Sequence, residues 1–198
     1  MNYESMNKET LVKILREKDN LLEKLTSERK KLNYYANIDP MTGVLNRRSG
    51  LELLSKEFGL SEHNDRNLVV SFVDVDRLKI INDNFGHEEG DKLLISVAQI
   101  LKESIRKTDF VIRMGGDEFI VVFPKTTIEE VNKAWHRILK KVEEINKNND
   151  SYDFSLSYGV YEYNKETEKG VSITDIIKKA DTEMYKEKKL KNEYFSKV

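Results

Sequence analysis

The sequence predicts an α+β domain built on one central sheet and preceded by a long helix. A three-four apolar rhythm confined to the first 36 residues gives the helix, and two apolar runs flanking Gly115-Gly116 give a hairpin. Helix and strand patterns that alternate from Asn46 onward give the rest of the sheet and its cover.

In the first segment Leu11, Leu15, Lys18, Leu22, Leu25, Arg29, Leu32 and Ala36 alternate spacings of four and three, the a/d rhythm of a coiled coil with two charged seam positions. A helix from about Glu4 to Ala36 is roughly 50 Å long and cannot bury its apolar stripe against itself. Pairing with a second copy is the favoured reading, and packing on another neighbour is the alternative. Residues 1–36 are thus expected to form a helical stalk and residues 37–198 a folded domain.

Within the domain, Asn46 to Phe58 reads as helix, Leu68 to Asp74 as a buried strand and Arg77 to Asn84 as a short helix. Glu88 to Arg106 reads as a long helix with Leu93, Leu94, Val97, Ile100 and Leu101 inward. The hairpin runs Phe110 to Met114 and Phe119 to Phe123 follow. A helix from Ile128 to Asn146, a strand from Phe154 to Tyr161 and a helix from Ser172 to Lys188 complete the pattern, with polar loops at 146–150 and 164–170.

A length of 198 residues fits one domain with an appendage. No apolar run approaches the roughly 20 residues that cross a bilayer, and the start of the chain lacks a secretion signal, so a cytoplasmic protein without a membrane partner is expected. The absence of cysteine excludes disulfides, thiolate metal sites and cysteine nucleophiles. Residues 1–36 carry a net charge of +2 and the remainder −3. An acidic domain with no basic stripe argues against nucleic acid, and it must attract any polyphosphate through metal ions and a few placed lysines.

Two acidic centres stand out. Gly115-Gly116-Asp117-Glu118 sets adjacent carboxylates on a tight turn, where glycines supply positive φ and leave room for a ligand at the backbone. By itself this is equally an ordinary hairpin with solvated acids. Upstream, the apolar strand 68–73 runs into Asp74-Val75-Asp76, and a carboxylate buried at a strand end is costly unless a cation or donor compensates it. Alternation puts Asp74 and Asp76 on one side and leaves the Val75 carbonyl as a further oxygen ligand. Oxygen donors without cysteine favour Mg²⁺ or Mn²⁺ over zinc. The bland alternative makes Asp76 the N-cap of the next helix.

These residues resemble a known family. Asp39-Pro40-Met41-Thr42-Gly43-Val44-Leu45-Asn46-Arg47-Arg48 is similar to the opening motif of the GGDEF domain of diguanylate cyclases, and Gly115 to Phe119 to its name-giving loop. Phe72-Val73-Asp74-Val75-Asp76 with Lys79, Asn82, Asp83, Gly86, His87, Gly90 and Asp91 resembles its metal and guanine segment. Ser157-Tyr158-Gly159-Val160 and Ala180-Asp181 with Tyr185 and Lys188 resemble two later motifs, so that the match extends from Asp39 to Lys188.

The resemblance implies the ferredoxin-like nucleotide-cyclase palm and a reaction in which two GTP become cyclic di-GMP and two pyrophosphates. It implies two Mg²⁺ or Mn²⁺ ions per site, ligated by Asp74, the Val75 carbonyl and Asp117, with Glu118 as ligand or proton acceptor; the sequence leaves open which of Asp117 and Glu118 takes the proton. Phosphates are expected at the helix start Arg77-Leu78-Lys79, where backbone N–H groups are free, and at Lys79 and Lys188. Leu78 replaces the family's usual phenylalanine, and Asn192 stands where an arginine commonly follows, unless Lys191 substitutes for it.

Asn82 and Asp91 are expected to read guanine, because a carboxylate accepting from N1–H and the exocyclic amine rejects adenine. His87 is expected near the substrate rather than as a base; His63 and His136 read as surface residues and Trp135 as core. Arg106-Lys107-Thr108-Asp109, five residues before the glycine loop, matches the inhibitory RxxD product site, although RxxD alone is equally a surface ion pair. Ring closure requires two antiparallel domains, so a homodimer is expected, paired by the stalk. The alternative function is a non-catalytic module that senses GTP or cyclic di-GMP. No sensory fold precedes the stalk, which suggests either a fragment or control through association and product.

Overall fold

A strand buried on both faces must lie mid-sheet between two helical layers, and β2 (Leu68–Val75) does so, with all eight residues buried. In the computed structural model, which describes residues 6–64, 67–168 and 170–195, β2 pairs antiparallel with β4 (Glu118–Pro124) and β5 (Leu156–Tyr163). Beyond β4 lie β3 (Phe110–Gly115) and then β1 (Leu45–Asn46), the last pair parallel, which gives the order β1-β3-β4-β2-β5.

Strand alternation divides the core in two. Val69, Val73, Val121 and Phe123 pack with residues of α4 (His87–Ser104) and α5 (Ile128–Lys147). Leu68, Val70, Ile120 and Val122 pack with residues of α2 (Arg47–Asn64) and α6 (Ile173–Phe195). Trp135 is 1% exposed and stacks on Tyr158 at 3.7 Å, so it belongs to the first cluster as core. Gly159 in β5 passes beneath α6, where a Cβ would lie 2.1 Å from the Ala180 carbonyl oxygen and the Met184 nitrogen. The missing side chain lets the helix backbone settle on the strand, and this sets how far the end of α6 reaches over the sheet.

The ends of several elements differ from the periodicity. Helix α2 continues to Asn64, α6 to Phe195, and β5 is shifted to Leu156–Tyr163. Strand β1 escapes a reading of apolar alternation because two residues are too short for a pattern; it is defined by pairing, with Ile112 and Arg113 of β3 and, at Leu45, with Ile38.

Residues up to Asn37 form a separate unit from those beginning at Ile38. In it α1 (Lys8–Asn37) is a single 30-residue helix, about 45 Å long. The expected start at Glu4 lies outside the described residues; within them Asn7 caps the helix, its side-chain oxygen accepting the Thr10 N–H at 2.9 Å. Leu15, Leu22, Leu25 and Leu32 are between 52% and 69% exposed, so the apolar stripe is not buried within the unit.

Candidate active site

The site begins where β2 ends beside the hairpin tip. Asp74 is directly opposite Glu118 in the β2–β4 register, and the Val75 N–H donates to the Asp117 carbonyl at 3.1 Å. Gly115 faces Glu118 across a tight connection in which Gly115 and Gly116 have φ of 150° and 52°, with a bulge between Arg113 and Gly115. Side chains at those angles would be strained, which is why two glycines occupy the tip.

Arg113 fixes the loop. Its Nε and Nη2 donate to the Gly116 carbonyl at 3.3 and 2.9 Å, and Nη1 donates to Asp39 Oδ1 at 3.1 Å. Asp39 also accepts the Thr42 N–H and hydroxyl at 2.9 and 2.6 Å. Burial pushes the Asp39 carboxyl up, but the donors of Thr42 and Arg113 outweigh it and hold the group below its ordinary value. The opening motif thus anchors the acidic turn from 74 positions away.

The acids are of two kinds. Asp76 accepts hydroxyls from Ser155 at 2.5 Å and Ser157 at 2.7 Å, and the residue that caps α3 (Leu78–Phe85) is Arg77, at φ 61° with no side-chain capping bond. Asp76 is therefore not a helix cap; Ser157 of β5 and Ser155, just before that strand, satisfy it. Among the described residues, Asp74 pairs with one cation, Lys188 of α6, whose Nζ is 2.7 Å from Oδ1. Burial, and then repulsion from Asp117 and Asp76, raise the Asp74 carboxyl above its ordinary value against that lysine. Glu118 is raised by burial and by Asp117, Asp74 and Asp181. Lys188 is drawn down by burial, but its hydrogen bond and the surrounding carboxylates outweigh this and raise it.

Asp74, Glu118, Asp181, Tyr185 and Lys188 line an open cleft of 550 Å³. The sequence reading did not assign Asp181 a site role; its signal was the spacing Asp181-Tyr185-Lys188, which places three side chains on one face of a helix. Lys191 also reaches this edge, donating to the Leu156 carbonyl at 2.6 Å and lying 3.9 Å from Asp76, whereas the side chain of Asn192 falls outside the described residues. Among the described residues no three acidic or imidazole side chains meet around one point. The donor set nevertheless suits a hard divalent cation, being all oxygen and carrying repelling charge that one lysine does not neutralise.

The remaining expected residues occupy two other places. Leu78 is buried, so only its main chain is presented at the start of α3, while Arg77 and Lys79 are exposed. Asn82 follows one turn along, about 6 Å up the axis. The α3–α4 corner turns at Gly86 with φ 87°, and Gly90 packs on the Asn82 side chain so closely that a Cβ there would lie 1.8 Å from Oδ1. That oxygen is buried without a partner. Asp91, next to Gly90, and His87 are both exposed at this corner.

Arg106 and Asp109 stand apart, between α4 and β3. The Asp109 carboxylate accepts the Arg106 N–H at 2.9 Å, and Arg106 Nη2 pairs with Glu130 of α5 at 2.9 Å. A cavity of 320 Å³ lies beside this turn, lined in part by Val44, Leu45, Ile105 and Phe110.

The family model for the diguanylate cyclase GGDEF domain matches residues 36–193. The diguanylate cyclase DgcP of Escherichia coli is 33% identical over 177 residues, covering 88% of this chain and 51% of its own. The chain thus spans about half the length of that curated relative. Diguanylate cyclase SiaD of Pseudomonas aeruginosa, solved with its activator SiaC, superposes with a TM-score of 0.73 at 27% identity over 91% of this chain and 69% of its own. The coiled coil and GGDEF domain of DgcB from Caulobacter crescentus, solved with c-di-GMP, has the same fold, with a TM-score of 0.81 at 23% identity over 91% of this chain and 95% of its own. With the model matched across the sheet, the glycine loop and α6, the chain belongs to the GGDEF-domain family of diguanylate cyclases.

Proposed function

We propose that the chain is a diguanylate cyclase that condenses two GTP into cyclic di-GMP and two pyrophosphates. The observation that carries the reading is an open cleft at the end of β2 lined by Asp74, Glu118 and Lys188, in which burial and neighbouring acids raise both carboxyls and Lys188 pairs with Asp74.

Asp74, the Val75 carbonyl, Asp117 and Glu118 would hold Mg²⁺ or Mn²⁺, two ions per site. When bound, such ions neutralise the α-phosphate and ease loss of the ribose 3′-hydroxyl proton. Lys188 and Lys79 orient the triphosphate by charge, and the start of α3 offers backbone N–H groups at Arg77-Leu78-Lys79. Asn82 and Asp91 bind the guanine edges, with His87 close to the substrate. Either of the adjacent acids Asp117 and Glu118 would receive the 3′-hydroxyl proton. Attack on the α-phosphorus expels pyrophosphate, and a second, antiparallel copy supplies the other half of the ring.

The homodimer is assigned to pairing of the α1 stripe, with residues 1–36 as coiled-coil stalk and 37–198 as catalytic domain. Product binding at Arg106 and Asp109 provides inhibition. Among the described residues no helix is long and apolar enough to cross a membrane, which accords with a cytoplasmic enzyme. Two observations favour the second reading, a non-catalytic module that senses GTP or cyclic di-GMP: among the described residues no three acids meet around one point, and Lys188 is paired with Asp74.

Incubation with GTP and Mg²⁺ decides between the two. Cyclic di-GMP and pyrophosphate are expected, and Glu118→Gln should abolish both. Folded protein that binds GTP yet forms no product at any concentration would establish the sensing module instead. Deletion of residues 1–36 should lower turnover at dilute enzyme far more than at high concentration; equal rates at all dilutions would remove the stalk from the mechanism.

A further inference from the structure

The guanidinium that would receive an anionic ligand at the RxxD turn is already engaged. Arg106 Nη2 lies 2.9 Å from Glu130 Oε1, an acid in the first turn of α5 and 24 positions away in sequence. The other partner of the motif is also occupied, since Asp109 accepts the Arg106 N–H at 2.9 Å and the Thr108 hydroxyl at 3.3 Å. Asp109 therefore holds the shape of its own turn, and Arg106 is directed towards α5. Both partners of the ion pair are exposed, 55% for Arg106 and 41% for Glu130, so the pair is within reach of solvent and ligand.

We propose that Glu130 is a built-in competitor for the Arg106 fork, which sets the concentration of cyclic di-GMP at which the RxxD turn fills. The inference rests on the reading of that turn as the product site and adds the residue that tunes it. Glu130 accepts from Nη2 alone, so a ligand that uses the forked face containing that N–H must displace Glu130 before it gains its full contacts. An exposed ion pair is weak, which suits the role: it delays inhibition without preventing it. Glu130 is remote in sequence from the motif and invisible to any pattern within it.

Direct binding of cyclic di-GMP to the full chain, measured calorimetrically without GTP, tests the proposal. Glu130→Gln should tighten binding about two- to five-fold, the range that an exposed ion pair accounts for. The adjacent Glu129→Gln removes the same charge one residue away and should leave affinity unchanged. Equal tightening by both variants would overturn the competitor role in favour of a diffuse charge effect, and no tightening by Glu130→Gln would overturn it outright. Arg106→Ala separates the two levels of argument. If it abolishes binding while Glu130→Gln has no effect, the product site stands and the competitor falls; if it leaves binding intact, the RxxD reading itself fails.

Discussion

The mouth of the cleft and the RxxD turn use the same kinds of side chain in opposite ways. At the end of β2 the buried Asp74 faces the half-buried Glu118; both are raised by burial and by acidic neighbours, with Lys188 opposing the rise. At the RxxD turn, Asp109 is also raised by burial, but Arg106 and Thr108 oppose the rise more than Glu130 adds to it, and Arg106 is paired with Glu130. A cation bound at the first place must displace Lys188 from Asp74 but relieves the repulsion among the acids. A ligand at the second that uses Nη2 of Arg106 must displace Glu130. The first arrangement therefore favours occupancy more strongly than the second.

The comparison breaks most visibly at Asp74. Asp74→Asn should lower cyclase turnover by about 10³-fold, the order lost when a group that stabilises developing charge is removed. Thermal stability should not fall with it, because the substitution removes repulsion with Asp117 and Asp76 along with the Lys188 pair. A melting temperature lower by more than about 4 °C would mean that Asp74 holds the fold together and is not poised for a ligand.

Next in size is Gly159→Ala, which tests what places Lys188 at the cleft. The added Cβ would meet α6 backbone at 2.1 Å, and backbone cannot swing aside as a side chain can. A cost of about 3 kcal/mol is expected. For a chain of this size that lowers the melting temperature by roughly 6–12 °C, measurable by calorimetry. An unchanged melting temperature would show that α6 is not seated by this glycine, and the account of how Lys188 reaches Asp74 would fail.

Much of the site was legible because its parts announce themselves locally. The strand 68–75 is continuous apolar sequence ending in acids, and Gly115-Gly116 marks its turn by composition alone. Asp74 beside Glu118 required only the assumption that the hairpin pairs with that strand. What the sequence concealed depends on distance in the chain. Nothing local indicates that Asp39 reaches Arg113, that Ser155 and Ser157 satisfy Asp76, or that Glu130 pairs with Arg106. Each follows from packing of elements far apart in sequence, and β1 was missed for the same reason, since a two-residue strand exists only through its partner. The palm topology likewise came from family resemblance and not from propensity.

A smaller effect is expected at Gly90, where binding and stability should separate. A Cβ there would overlap Asn82 Oδ1, the end of a side chain that can rotate away, so the melting temperature should change little. On the proposed reading of Asn82, the rotated amide would no longer meet the guanine edge. Gly90→Ala should raise KM for GTP about tenfold and narrow the preference for GTP over ATP, well within what a 1 Å misplacement costs. Unchanged KM with unchanged base preference would detach Asn82 from recognition.

The smallest effect is the pH dependence of stability, and it bears directly on the contrast between repulsion and pairing. Asp74 and Glu118 are raised above ordinary values of 3.8 and 4.5, so the folded chain takes up protons there before the unfolded chain does. Their contribution is fully present below those ordinary values and is lost as pH rises through the raised ones, leaving a net cost at neutral pH. The double variant Asp74→Asn/Glu118→Gln lacks that cost. It should exceed the parent in denaturant stability at neutral pH by no more than about 1 kcal/mol, and the gap should narrow towards pH 5. Glu130 behaves in the opposite sense, since the hydrogen bond and charge of Arg106 hold it below 4.5 and it stays ionised throughout that window. Glu130→Gln should therefore show no narrowing over the same range. A gap for the double variant that is constant with pH would mean that the carboxylates at the cleft do not repel one another as their burial and spacing require.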